Sequence, residues 1–250
     1  MPALSDDGMP PLFAGLDPAH RIRTDRLDVY TPAHPVAERR PAVVLVHGGP
    51  VAPDARPRDW PGAVGYATLA AASGLVGIVL EHRLHSGEHY PVAADDVAAA
   101  VQEARALDAV DPDRVGLWFF SGGGPLAVDW MRATPPWLRC LVWTYPVLAP
   151  PPDWDGDIPR FDAISALNAC RDLPKLLMRV EREIPGLVPD QDAFVAAARA
   201  HEASLEVVDV PGAVHGFEGH DDAGDPARTA ILRAMSWAAS TVRSADRAPT

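Results

Sequence analysis

Cysteine is nearly missing from this chain. Its 250 residues hold two, Cys140 and Cys170. One lies in an apolar run and the other beside charged residues, so they build no disulfide framework and offer no metal-ligand spacing. Buried free thiols in a reducing cytoplasm are the expectation, and a disulfide between the two stays open. Basic residues are also few. Lys and Arg together number 22 against 34 Asp and Glu, a formal net charge of −12. Such a surface repels phosphate backbones and anionic headgroups, which argues against nucleic-acid and membrane partners. No apolar run approaches the length of a membrane span. Residues 1–11 carry acids and prolines but no basic start, so no secretory signal is read there. No internal repeat is visible, and the 27 prolines are spread out as loop punctuation.

What is present suits one α/β domain over residues 1–250, with 48% hydrophobic residues to fill its core. Residues 1–24 read as a loose N-terminal arm. Strands are predicted at 26–30, 42–46, 75–80, 115–119, 140–144, 175–180 and 205–210. Several of these are continuous apolar runs, as strands buried on both faces require. Helices are predicted at 66–73, 92–107, 124–133, 190–202 and 226–242, with Gly74 closing the first and Asp190 capping the fourth. Strands and helices alternate, which implies a mostly parallel sheet covered on both faces. Residues 145–172 break the alternation with Pro-Pro-Pro and a weak helix near 161–169. They form either a small lid over the sheet edge or an ordinary long connection.

Residues 115–125 read Val-Gly-Leu-Trp-Phe-Phe-Ser-Gly-Gly-Gly-Pro. An apolar strand stops at Ser121, and three glycines lead into a helix. A tight strand-to-helix turn pushes the serine oxygen out over the sheet edge, beside the free N–H groups of a helix N-terminus. Ser121 is the candidate nucleophile. A base is needed within reach, and His215 in Pro-Gly-Ala-Val-His-Gly-Phe follows the last predicted strand. An acid must hold the far side of that imidazole. The loop after strand 175–180 reads Glu-Arg-Glu-Ile-Pro-Gly, which makes Glu183 the choice and Glu181 the alternative. Asp190 and Asp192 come later and fit helix capping better. Two N–H donors are needed for a developing oxyanion. Gly122 follows the nucleophile directly, and His47-Gly48-Gly49-Pro50 follows strand 42–46. Pro50 has no N–H, so Gly49 is the preferred second donor and Gly48 the next.

Other features carry less. His82, His85 and His89 near Glu81 and Glu88 lack a rigid arrangement for a metal. Asp95 and Asp96 read as helix-dipole partners or caps. The Gly-Gly-Gly run is followed by no Lys-Ser/Thr pair, so it is not a phosphate loop. No cofactor and no metal are expected.

On these residues the chain from about Ala42 to Val242 resembles the α/β-hydrolase superfamily. The His-Gly-Gly start and the stretch from His82 to Val97 (His-Arg-Leu-His-Ser-Gly-Glu-His-Tyr-Pro-Val-Ala-Ala-Asp-Asp-Val) are similar to hormone-sensitive-lipase-like carboxylesterases. The Asp111–Leu117 lead-in and His215-Gly216-Phe217 occur there and in dienelactone-hydrolase-like enzymes. The resemblance implies a largely capless α/β-hydrolase fold. It also implies Ser121 as nucleophile, His215 as base, and Gly49 and Gly122 as oxyanion donors. Two departures stand out. Phe119 occupies a position that is usually small, and Val180-Glu181-Arg182-Glu183 replaces the usual Gly-x-x-Asp acid motif.

The activity this implies is serine hydrolysis of small carboxylic esters or lactones through an acyl-enzyme, in the cytoplasm, with homodimers common in the fold. Two other readings stay open. One is a catalytically degenerate binding protein of the same fold. The other is a prolyl-oligopeptidase-like peptidase, whose catalytic domain also uses His-Gly-Gly-Pro.

Overall fold

A computed structural model describes residues 11–16, 19–32, 38–150, 156, 158–220 and 224–244. The strands are β1 (Ala19–Arg23), β2 (Leu27–Pro32), β3 (Arg40–Val46), β4 (Val76–Leu80), β5 (Val110–Phe120), β6 (Leu138–Thr144), β7 (Lys175–Arg182) and β8 (Leu205–Val214). They form one eight-stranded sheet in the order β1-β2-β4-β3-β5-β6-β7-β8. β2 runs antiparallel to β1 and β4, and the pairs from β4 through β8 are parallel. Parallel neighbours need crossovers, and here helices supply them. These are α1 (Pro61–Ala72), α2 (Tyr90–Arg105), α3 (Val128–Ala133), the single turns α4 (Ile158–Phe161) and α5 (Ala163–Ala166), α6 (Val188–Ala200) and α7 (Gly224–Arg243).

The two faces of the sheet hold separate cores. Side chains alternate across a strand, so Leu117 and Phe119 of β5 join one core while Trp118 joins the other. The first core packs Val44, Ile78, Leu141 and Leu177 against α2, α3 and α6. The second packs Val43, Val79, Val142 and Met178 against α1 and α7. Each fully buried large side chain contributes roughly 1.5–3 kcal/mol. Burial on both faces is why these strands read as continuous apolar runs.

Three expectations need correction. The arm over 1–24 is not loose at 19–23, where β1 pairs with β2 in register. Its Arg21 and Arg23 reach the buried carboxylate of Asp28 and the exposed Asp59. Asp190 does not cap α6, since Leu187 stands at the cap and Asp190 lies in the first turn. Asp95 and Asp96 do not open α2, which starts five residues earlier at Tyr90. Asp96 instead binds the guanidinium and backbone N–H of Arg83.

Both cysteines are buried and free. Lys175, the chain's single lysine, is fully buried at the foot of β7. Its Nζ donates to the carbonyls of Cys170 and Leu173, each at 2.6 Å, and of Arg171 at 3.3 Å. Burial pushes its pKa below the usual lysine value. The staple closes the connection that leads from α5 into the strand. No helix among the described residues is long and apolar enough to cross a membrane.

Candidate active site

Ser121 stands at the end of β5 with φ +47°, a left-handed conformation that costs a non-glycine residue about 1–3 kcal/mol. Its surroundings hold it there. The carbonyl of Ser121 accepts from Val147 N–H at 3.0 Å. Tyr90 Oη donates to the Gly122 carbonyl at 2.8 Å, and Trp143 Nε1 to the Gly124 carbonyl at 3.3 Å. A strand, a strained serine and a tightening 3₁₀ turn over Ser121–Ala127 follow one another without a spacer. Phe119 does not crowd the elbow, because its ring is turned into the first core, 6.3 Å from Trp143.

Around the serine the structure brings together groups far apart in sequence. Ser121 Oγ lies 2.7 Å from His215 Nε2, and His215 Nδ1 lies 2.6 Å from Glu183 Oε1. A carboxylate on Nδ1 requires the proton there, which leaves Nε2 as acceptor for the serine hydroxyl. The Glu183 side chain is nearly inaccessible, 2% exposed, while that of His215 is 19% exposed. Glu183 is itself fixed. Its Oε1 accepts from Ile184 N–H at 2.8 Å and its Oε2 from Gln191 Nε2 at 3.0 Å. The register explains the meeting. β7 and β8 pair up to Arg182 opposite Val214, so the next residue on each strand is Glu183 and His215.

The other carboxylates lie elsewhere. Glu181 accepts from Gly212 N–H at 2.7 Å on the exposed flank of the β7–β8 pair. Asp192 pairs with Arg179 at 3.0 Å, and Asp190 is half-buried on α6. Gly48 and Gly122 border the serine, and Gly49 packs against Gly122. A Cβ on Gly48 would lie 2.9 Å from Ser121 Cβ.

Ser121 and His215 open into a cavity of about 470 Å³, walled by Leu45, Val51, Trp60, Ala63, Val79 and Phe120 among others. Of the described residues in 145–172, Tyr145 lines this cavity. Phe161, Ala163 and Ala166 join the first core instead. Residues 151–155 and 157 of the expected lid lie outside the described residues.

Further polar groups surround the serine. His47 stacks on His82 at 3.7 Å. His47 Nδ1 lies 2.6 Å from the Gly48 carbonyl, and His82 Nε2 lies 3.0 Å from the His47 carbonyl. These contacts tie down the loop that carries Gly48 and Gly49. Burial drives His47 well below the usual histidine pKa, with His82 adding to the effect, and burial takes His82 to about 4. Both rings are therefore neutral. His85 binds the Val51 carbonyl and His89 binds Ser86. Among the described residues no three His, Cys, Asp or Glu side chains converge on a metal position. Glu218, three residues past His215, is a buried carboxyl held by Tyr66 Oη at 2.8 Å and Tyr145 Oη at 2.6 Å.

Known proteins share the fold of this chain. The BD-FAE family model matches residues 27–134. That span contains Gly48, Gly49, Ser121 and Gly122 but neither Glu183 nor His215. No curated protein matches the chain. Among solved structures, a thermostable esterase from Pseudomonas putida ECU1011 aligns with TM-score 0.67 at 18% identity, covering 92% of this chain and 85% of that one. Thermogutta terrifontis esterase 2 phosphoramylated by tabun aligns at 0.64 and 18%, covering 89% and 94%. A dipeptidyl aminopeptidase IV-like protein from Bacteroides ovatus ATCC 8483 aligns at 0.62 and 18%, covering 90% of this chain but 35% of that one. The chain therefore has the α/β-hydrolase fold.

Proposed function

We propose that this α/β-hydrolase-fold chain is a serine hydrolase that cleaves carboxylic esters or lactones of small substrates through an acyl-enzyme. The observation that carries the proposal is the unbroken hydrogen-bond chain from Ser121 Oγ through His215 to Glu183. Esterases among the solved structures of this fold support the same reading.

The geometry supports the following steps. His215 Nε2 takes the Ser121 proton as Oγ attacks the substrate carbonyl. The oxygen that gains charge faces the N–H groups of Gly122 and Gly49. Glu183, buried and already holding three donors with His215, Ile184 and Gln191, stabilises the imidazolium without leaving its place. The imidazolium then gives its proton to the leaving alkoxide, and the acyl group stays on Ser121. Water enters and attacks the acyl carbon as His215 takes its proton, and the imidazolium returns that proton to Ser121 Oγ as the free acid leaves. In a lactone the alcohol remains attached to the released acid. Much of the cavity wall is apolar, which suits small acyl or alkyl groups.

Labelling with a fluorophosphonate probe tests this, with peptide mass spectrometry and Ser121→Ala as control. Covalent mass on the peptide containing Ser121, absent from the variant, is the expected result. A folded protein that takes no label would make the chain a non-catalytic member of its fold.

A further inference from the structure

The cavity beside Ser121 is bordered by a carboxyl side chain that the hydrolytic steps do not use. Glu218 sits on the turn Phe217–Gly219, is 9% exposed, and borders the same cavity as Ser121 and His215. Both carboxylate oxygens are engaged, Oε1 by Tyr66 from α1 and Oε2 by Tyr145 from the end of β6. Tyr145 in turn lays its ring 4.7 Å from the ring of His215. Each tyrosine spends its only proton on Glu218, so the cluster offers lone pairs and no donor to a newcomer. No lysine or arginine lines the cavity among the described residues. Its other non-catalytic histidine, His47, is kept neutral by burial.

We propose that Glu218 selects substrates by charge: the cavity accepts groups carrying a hydrogen-bond donor, an alkylammonium above all, takes neutral chains less well, and rejects carboxylates. An ammonium entering here meets an acceptor cluster beside the aromatic rings of Tyr145 and Trp60. A neutral chain meets Leu45, Val79 and Phe120. A carboxylate would lose its water shell with no cation to replace it, beside a carboxyl of the same sign. Burial pushes the Glu218 carboxyl above its usual range against the pull of its tyrosine partners, and a bound ammonium favours its ionised form. The kinetic half of this proposal rests on the hydrolase reading above. The binding half does not.

The test uses the intact wild-type protein at pH 8. Calorimetric titration with hexylammonium, hexanol and hexanoate reads binding. Ethyl 6-aminohexanoate, ethyl hexanoate and monoethyl adipate read kcat/KM. The ammonium member should exceed the carboxylate member at least about tenfold in each series, with the neutral one between. Glu218→Gln should bring all three within about twofold of one another. Ala63→Lys, which adds a cation to the cavity wall at the start of α1, should erase the order as well and does not depend on replacing a buried carboxyl. Equal values, or a preference for the carboxylate, in the wild type would overturn the proposal. So would a folded Glu218→Gln or Ala63→Lys protein that keeps the wild-type order. If hexylammonium binds as expected but no ester turns over, the hydrolase reading fails and the charge selection stands.

Discussion

The carbonyl oxygen of Gly49 occupies the space that a side chain on Gly122 would need: a Cβ added there would lie 1.8 Å from it. The two loops around Ser121 touch backbone to backbone, and no rotamer change relieves the overlap. Gly122→Ala should therefore separate them, lowering stability by roughly 2–4 kcal/mol and kcat/KM by at least about a hundredfold. Thermal unfolding and ester hydrolysis on one sample would show both losses. Gly186→Ala is the control, since nothing lies within 4 Å of its added Cβ. An active, fully stable Gly122→Ala protein would contradict the packing described.

Glu183 and Glu181 lie two residues apart, one past the end of β7 and one within it, and should differ completely in effect. Glu183→Gln keeps the shape but removes the charge that faces His215 Nδ1, and kcat should fall by about 10²–10⁴. Glu181→Gln loses only an exposed bond to Gly212, and kcat should stay within about twofold. Steady-state kinetics on the pair would decide which carboxylate works with His215. Comparable losses in both would remove Glu183 from that role.

Stability should depend on pH through the stacked histidines. Burial holds His82 at about 4 in the folded chain, against about 6.5 when unfolded. A lowered pKa contributes stability that is complete above the unfolded value and is lost as pH falls. Between about pH 6.5 and 4 the unfolded chain takes up protons that folded His82 and His47 refuse. The urea midpoint should drop across that window, and His82→Gln should flatten the slope. A midpoint that is level from pH 7 to 4.5 would show that these rings protonate freely in the fold.

Lys175 should be structural and nothing else. Lys175→Met keeps the stem but strands the carbonyls of Cys170 and Leu173, at a cost of roughly 2–4 kcal/mol. The urea midpoint should fall with an unchanged slope, while kcat of the folded fraction is unaffected. A parallel loss of kcat would mean that the loop before β7 reaches the site.

Much of the fold is visible in the chain itself. β3, β4, β6 and β7 are apolar on both faces, so no alternation is needed to find them. β1 is hidden because Ala-His-Arg-Ile-Arg is an exposed edge strand, held by backbone pairing and by arginines that reach Asp28. Ser121 and His215 are marked by the glycines and strand ends next to them. Glu183 is legible only as one of several carboxylates, because the choice depends on the β7–β8 register. Glu218 has no signature at all. Its partners Tyr66 and Tyr145 lie 152 and 73 residues away. Gln191 looks like any polar residue of a surface helix until its amide is seen on Glu183.

Two neighbouring strands end in the same unfavourable way. Ser121 after β5 and Tyr145 after β6 both adopt positive φ, +47° and +38°. Two of the positive-φ non-glycine residues among those described thus stand side by side on the rim of the candidate site. A population of variants selected for heat resistance alone should drift toward glycine or asparagine at these two positions, gaining melting temperature as it loses turnover. Selection for turnover has to hold both residues against that drift.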